Sequence, residues 1–194
     1  MSRTIILALA ASLLGTAPVL AQAVEYEFDK SHTIIRASWD HQQYSTMSLQ
    51  LTDYDGTLSL DLENPSNSAV DITFNLIDGI WPGAHHDRFI AHLNSADFFE
   101  TAVNPTAHFV ATGFETSDGT QGVMSGDLTM NGITNPVALD VTLNRVGENR
   151  GRAKLGFTAT ATLTRSEWDM AFAVPHIPDD IELYIGMEIL SLSE

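Results

Sequence analysis

The sequence predicts an all-β fold, an antiparallel barrel or sandwich of about eight strands, and two observations carry that prediction. Apolar residues alternate with polar or small ones in several runs, for example from Val70 to Leu76 and from Ile181 to Ile189. This period of two gives a strand one face for a core and one for water. Turn-forming pairs such as Asp55-Gly56, Asn64-Pro65 and Asn131-Gly132 separate the runs, at spacings typical of an up-and-down barrel or a sandwich.

The strand predicted from Thr33 to His41 has one face made of alternate apolar residues ending in a histidine. Ile35, Ala37, Trp39 and His41 share this face, which we expect to point inward. His41 is either a hydrogen-bonded core residue or a polar contact for the headgroup of a ligand.

Small residues also fall at predicted inward positions of other strands, namely Gly126, Ala159 and Ala161, in addition to Ala37. They fit the taper of a filled barrel or leave a cavity, and an eight-stranded barrel has the size at which both outcomes occur.

One stretch departs from the β pattern. Between Ala84 and Ser95, Phe89, Leu93 and Ala96 recur at helical spacing behind Pro82-Gly83, which predicts one short amphipathic helix. Such a helix either caps an open barrel end or packs on the outside of a sandwich.

The first residues predict export. Arg3 precedes an apolar run from Ile5 to Leu14, and Ala21-Gln22-Ala23 is a small-residue cleavage site, so residues 1–23 are interpreted as a cleaved signal peptide. Residues 24–194 then form one domain of a periplasmic protein.

Composition excludes several function classes. The chain has no cysteine and a formal net charge of −16, so thiolate chemistry is absent and nucleic acid is repelled. It has no Gly-x-Ser-x-Gly elbow and no phosphate-binding glycine loop. A serine hydrolase and a nucleotide-binding protein are therefore disfavoured.

Four metal-ligand residues cluster in the predicted helix region, at His85, His86, Asp87 and His92. His85 and His92 would lie two helical turns apart, about 10.5 Å along the axis, which is too far to share one ion. No metal site is predicted, and a metal- or His-dependent periplasmic hydrolase is the rival hypothesis. It requires His41, His85, His86 and His92 to converge.

Two linked segments resemble the signature of the YceI-like family of secreted lipid-binding barrels. The first comprises residues 93–99 and 104–109, and the second residues 126–137. Further matches lie at residues 26–33, at His41, at the hairpin of residues 53–58, at His92-Leu93 and at residues 163–166. The chain departs from the family pattern at Phe89 and Ile90, where the family usually has an Arg-Asp pair, and at Gln43, where it has glycine.

This resemblance implies an extended lipocalin-like antiparallel β-barrel of about eight strands, with one short helix near a barrel end. It also implies an apolar tunnel for an isoprenoid lipid, such as a polyprenyl phosphate or an isoprenoid quinone, and no cofactor besides such a bound lipid. No catalytic residues are associated with such a scaffold, so the resemblance predicts that the chain is not an enzyme. The residues predicted to line the cavity are Trp39, His41, Phe89, Leu93, Phe98, Phe99, Phe109, Met124, Leu128, Met130, Phe157 and Trp168. All are expected to pack on the tail except His41 and Trp168, which are predicted to meet the headgroup.

The nature of the headgroup follows from charge. A diphosphate needs Arg or Lys, for which Arg36, Arg88, Lys154 and Arg165 are the candidates, and Arg36 is predicted to point outward. A neutral headgroup such as a quinone or a fatty amide avoids this requirement.

The partner predicted for the chain is an isoprenoid or other long-chain lipid, and the protein is predicted to be a monomer or a homodimer. A third hypothesis makes the chain an interaction module that partners a membrane cytochrome.

Overall fold

A computed structural model describes residues 23–192 of the chain, so the predicted signal peptide lies outside the described residues except for Ala23. The strands of this part are β1 (Val24–Phe28), β2 (Ile34–His41), β3 (Ser45–Leu51), β4 (Tyr54–Leu60), β5 (Ala69–Asn75), β6 (Thr106–Thr116), β7 (Gln121–Met130), β8 (Ile133–Asn149), β9 (Arg152–Thr164) and β10 (Asp180–Ser191). The helix α1 spans His86–Leu93, and short 3-10 turns span Lys30–His32, Pro65–Asn67 and Arg165–Trp168.

These strands close into an eight-stranded antiparallel barrel, which confirms the predicted fold. β1 and β2 lie on the same edge of β10, with Phe28 opposite Ile189 and Ile34 opposite Gly186, so they act as one long strand interrupted by a 3-10 turn. β3 and β4 pair with β2 and β1 in the same way. From β4 onward each strand pairs with the next one in the chain as far as β10.

The up-and-down order places alternate connections at opposite ends of the barrel. The near end carries the β2–β3 hairpin, the long segment 76–105 with α1, the β7–β8 hairpin and the segment 165–179. The far end carries segment 61–68 and the β6–β7 and β8–β9 hairpins. Because the connections at the near end are much longer, they decide the shape of that end.

The predicted helix is confirmed, and it lies at the near end. Its connection is anchored to the edge of β3 by two hydrogen bonds, from the Gln50 N–H to the Ile80 carbonyl (3.0 Å) and from the Ile80 N–H to the Gln50 carbonyl (2.8 Å). Leu93 is the buried residue of α1, so the apolar face of the helix points at the barrel interior. Among residues 23–192, no helix is long and apolar enough to cross a membrane.

Candidate ligand-binding cavities

The near end of the barrel contains a cavity of about 410 Å³, called the near cavity below. Of its 26 lining residues, 23 are apolar. The lining comes from β2, β3 and α1, from the near ends of β5, β6, β7, β9 and β10, and from the near-end segments 76–105 and 165–179. The four inward residues predicted on β2, Ile35, Ala37, Trp39 and His41, all line it. Its wall includes two exposed side chains, Phe172 at 45 % and His92 at 48 % exposure, so the cavity reaches the surface there.

A second cavity of about 220 Å³ occupies the other half of the barrel and is called the far cavity. Inward residues of β7, β8 and β9 form much of its wall, among them Met124, Val141 and Ala159. Its lining includes the exposed residues Leu62, Thr120 and Gln121 at the far end. The period-two pattern thus produces a hollow barrel, and the small inward residues Ala37, Ala159 and Ala161 line its cavities. The fourth, Gly126, leaves no space, because the Phe109 ring packs against it.

Three polar side chains line the near cavity: His41, His92 and Arg165. His92 Nε2 lies 3.0 Å from Asp97 Oδ2, and its ring packs edge-to-face on Phe98 and Phe172, at centroid distances of 5.1 and 5.5 Å. These rings join the segment after α1 to the 165–179 segment across the cavity mouth. The mouth is therefore an aromatic cluster with one imidazole in it.

Arg165 is buried, and its hydrogen bonds point at the protein backbone. Nε donates to the Pro178 carbonyl at 2.9 Å, Nη2 donates to the Ile177 carbonyl at 3.1 Å, and Nη1 donates to the Met170 carbonyl. Burial lowers the pKa of the guanidinium, and the nearby Asp179 carboxylate opposes that shift. Arginine stays protonated in proteins. The charged Arg165 guanidinium therefore holds the 165–179 segment over the cavity through its three hydrogen bonds to backbone carbonyls.

The two signature segments meet at this same end. Asn131 Nδ2 donates to the Trp168 carbonyl at 3.0 Å, and Asn104 Nδ2 donates to Asn131 Oδ1 at 3.1 Å. Asn135 Nδ2 donates to the Glu167 carbonyl at 2.8 Å. Asn131 and Asn135 therefore connect the β7–β8 hairpin to the 3-10 turn Arg165–Trp168, and Asn131 also connects it to the segment before β6. The two signature segments thus form part of the rim of the near cavity.

Eleven of the twelve predicted lining residues lie in the walls of the two cavities. The residues that line the near cavity are Trp39, His41, Phe89, Leu93, Phe98, Phe99, Leu128 and Met130. Those that line the far cavity are Phe109, Met124, Phe157 and again Leu128. Trp168 lines neither cavity. It is 1 % exposed and its indole N–H donates to the Leu128 carbonyl at 3.0 Å, so it packs behind the wall and does not reach a headgroup there.

Phe89, where the chain departs from the family pattern, has a clear structural role. Its ring stacks on Trp39 at 6.2 Å and contacts Trp81 at 4.3 Å between centroids. The aromatic side chain thereby joins α1 to β2 and makes this wall of the near cavity apolar. Ile90 is not among the lining residues.

Sequence reasoning did not select several lining residues. Met47 and Leu49 of β3 and Leu183 and Ile185 of β10 line the near cavity, and the alternation along β10 was a usable signal for the second pair. Phe172 belongs to an irregular segment in which no periodic pattern marks an inward side chain.

The side chains of His41, His85, His86 and His92 do not come together at one metal-binding site. His41 and His92 line the near cavity, whereas His86 Nδ1 contacts the Trp81 carbonyl at 2.8 Å and His85 sits at the start of α1. Within residues 23–192, the one group of three side chains close enough to hold an ion is Asp29, His32 and Glu188.

That group already contains a cation. Lys154 Nζ lies 3.3 Å from Asp29 Oδ2 and 2.5 Å from Glu188 Oε2, and its hydrogen bond to Glu188 is the main cause of a raised Lys154 pKa. The cluster is an ion-pair network that ties β9 and β10 to the junction between β1 and β2.

The closed barrel, its apolar interior and the helix at one end place the protein in the class of lipocalin-like β-barrels. Residues 26–189 match the YceI-like domain, and the chain belongs to the YceI-like family. A UPF0312 protein of Pectobacterium atrosepticum is 33% identical over 191 residues, which cover 97% of this chain and 97% of that protein.

Two solved structures show the same fold. The YCEI protein of Campylobacter jejuni is 26% identical, with a TM-score of 0.69 over 80% of this chain and 90% of that one. A domain from Saccharophagus degradans, described as a polyisoprenoid binding domain, aligns with a TM-score of 0.64 over 87% of this chain and 99% of its own. Its identity is 7%, so this likeness concerns the fold alone.

Proposed function

We propose that this protein holds an isoprenoid lipid with an uncharged headgroup in its barrel, as a binding or carrier protein of the periplasm without catalytic activity. The observation that carries the proposal is the near cavity, whose wall is apolar at 23 of 26 residues. Each methylene removed from water contributes about 0.8 kcal/mol, so a long tail needs few polar contacts. The Saccharophagus domain supports only the capacity of this fold for such a tail.

The cations of the chain favour an uncharged headgroup. Of the four candidates, only Arg165 lines a cavity, and its guanidinium already donates to three backbone carbonyls. Lys154 is paired with two carboxylates, and the Arg36 guanidinium lies over the Tyr184 ring at 5.2 Å. A diphosphate would enter an apolar cavity without the bidentate arginine contacts that stabilise such groups.

The aromatic mouth suits a planar headgroup with hydrogen-bond acceptors. Phe98 and Phe172 offer ring edges and faces, and His41 offers an imidazole N–H to a carbonyl oxygen. An isoprenoid quinone combines such a headgroup with the tail that the interior fits.

The test compares two ligands that share one tail length. Purified protein is titrated with a long-chain isoprenoid quinone and with the matching polyprenyl diphosphate, and binding is measured by native mass spectrometry and by intrinsic tryptophan fluorescence, to which Trp39 in the cavity wall contributes. We expect the quinone to bind more tightly. Equal or tighter binding of the diphosphate would contradict the uncharged headgroup, and binding of neither ligand would contradict the lipid-binding function.

A further inference from the structure

The last part of β8 extends past its neighbour β7 at the far end of the barrel. β7 begins at Gln121, and the Leu143 N–H still donates to the Thr120 carbonyl at 2.7 Å. β8 continues as far as Asn149, and over this last part it pairs with β9 on its other side. Within the part of the chain that the structure describes, no strand pairs with the β7 side of residues 144–149, which is called the open edge below.

The backbone groups that face the open edge belong to Val146 and Glu148. Arg150 and Gly151, with φ of 53° and 82°, form a two-residue turn, so Asn149 exchanges both of its hydrogen bonds with β9. Hydrogen-bonded and non-hydrogen-bonded positions alternate along an antiparallel pair, so the N–H and C=O groups of Val146 and Glu148 point away from β9. Both residues are exposed, Val146 to 58 %. Exposed and unpaired strand edges are templates for pairing with another chain.

The open edge is complementary to itself about Gly147. When two copies pair antiparallel across a two-fold axis at Gly147, Val146 of one subunit exchanges two hydrogen bonds with Glu148 of the partner subunit. The symmetry repeats this exchange, so four backbone hydrogen bonds form. Gly147 then lies opposite its own copy in a non-hydrogen-bonded pair, where the two Cα atoms are only about 4.5 Å apart. Glycine has no side chain that would obstruct this close approach.

Charge favours a second copy of this acidic chain as the partner. Arg145 and Arg150 are exposed, and among the described residues neither takes part in an ion pair. The β6–β7 hairpin beside the open edge carries the exposed Asp118, whose Oδ1 accepts hydrogen bonds from two backbone N–H groups of its own hairpin at 2.8 Å. A partner strand on the open edge continues the line of β7, so Arg150 of the partner subunit reaches this hairpin and its carboxylate.

We propose that the open edge of β8 is the interface of a two-fold homodimer, in which residues 145–149 of the two subunits pair antiparallel and Arg150 of each subunit contacts Asp118 of the other. The dimer joins the two sheets into one and depends neither on a bound lipid nor on the function proposed above. Four backbone hydrogen bonds and two ion pairs make a small interface. The dimer is therefore reversible, and its population rises with protein concentration.

The first test uses the absence of cysteine from the chain. Gly147→Cys introduces one thiol per subunit, and the two-fold axis brings the two thiols together within the range of Cα distances that a disulfide spans. A Cβ at Gly147 has Arg145 Nε as its nearest neighbour, at 3.7 Å, and one at Gly113 of β6 meets nothing within 4 Å, so Gly113→Cys is the matched control. Diamide oxidises pairs of thiols to disulfides. We expect Gly147→Cys to give a disulfide-linked dimer on a non-reducing gel, and Gly113→Cys to remain a single chain.

The second test reverses the charges of the ion pair and measures the dimer by sedimentation velocity. Arg150→Glu and Asp118→Arg each bring like charges together at two symmetric places, so each should raise the dissociation constant of the dimer at least about tenfold. The double variant should restore the value of the unsubstituted chain. Arg88→Glu makes the same charge change on the exposed face of α1 and should have no effect.

Three results would overturn the proposal. One is a chain that sediments as a monomer up to about 1 mM. Another is equal cross-linking of the two thiol variants, and the third is a dissociation constant that neither charge reversal changes. Both reversals lie in exposed hairpins, so the second test stands even if Gly147→Cys does not fold by circular dichroism.

Discussion

Replacing Arg165 with methionine tests whether a single buried guanidinium holds the near end closed. Arg165 is 5 % exposed and donates to the carbonyls of Met170, Ile177 and Pro178. Methionine keeps an unbranched side chain in the same space but leaves three carbonyl oxygens without these donors.

The magnitude follows from two opposing effects. Hydrogen bonds to a charged group contribute about 1.5–3 kcal/mol each, so three of them amount to several kcal/mol. The desolvation of the guanidinium offsets part of this, because methionine carries no charge to desolvate. We expect Arg165→Met to lower the free energy of unfolding by about 2–4 kcal/mol, which is what remains of the three hydrogen bonds after that offset.

The assay is urea denaturation followed by tryptophan fluorescence, together with hydrogen exchange of residues 169–179. Arg88→Met is the matched control, because Arg88 is an exposed residue of α1 and its loss removes the same charge. The control should stay within about 0.5 kcal/mol of the wild type. If Arg165→Met unfolds within about 1 kcal/mol of the wild type, and exchange of residues 169–179 is unchanged, the guanidinium does not anchor this segment.

Two further predictions concern β7 and the far end. A Cβ at Gly126 would lie 2.3 Å from the ring of Phe109, whereas one at Gly113 would meet nothing within 4 Å. Gly126→Ala should therefore destabilise the fold by about 1–3 kcal/mol in urea and Gly113→Ala by much less, and equal losses would contradict the packing argument. The hydrogen bond from Asn67 is the main cause that lowers the pKa of Asp61, so its charged form stabilises the fold above the unfolded pKa of about 3.9 and that stability is lost as pH falls through the folded value. The melting temperature should drop on acidification below about pH 4, more in the wild type than in Asp61→Asn, and parallel curves would refute this role.

The fold and the inward faces of the strands could be predicted because they depend on local patterns. A period of two fixes which side chains share a face, and this was enough to place Trp39, His41 and Met124 in the interior. The helix was predictable for the same reason, since the spacing of Phe89 and Leu93 is a property of one short segment.

The site was only partly predictable, because several of its features require contacts between distant segments. Trp168 sits in a 3-10 turn, where no periodicity indicates whether the indole faces the cavity or packs behind it. The contacts of Arg165 with residues 170–178 and of Asn131 with Trp168 likewise depend on how the loops of the near end meet.

The sequence by itself therefore determined a β-barrel with an apolar interior and its family signature, because alternation and turn chemistry are encoded residue by residue. Only the tertiary structure decided that side chains leave the interior unfilled, in two adjoining cavities whose linings share Phe74, Leu128, Leu163, Leu183 and Ile185. Tertiary packing also decided that the Arg165 guanidinium donates its hydrogen bonds to backbone carbonyls. Both results follow from side-chain packing across the barrel, which no local pattern specifies.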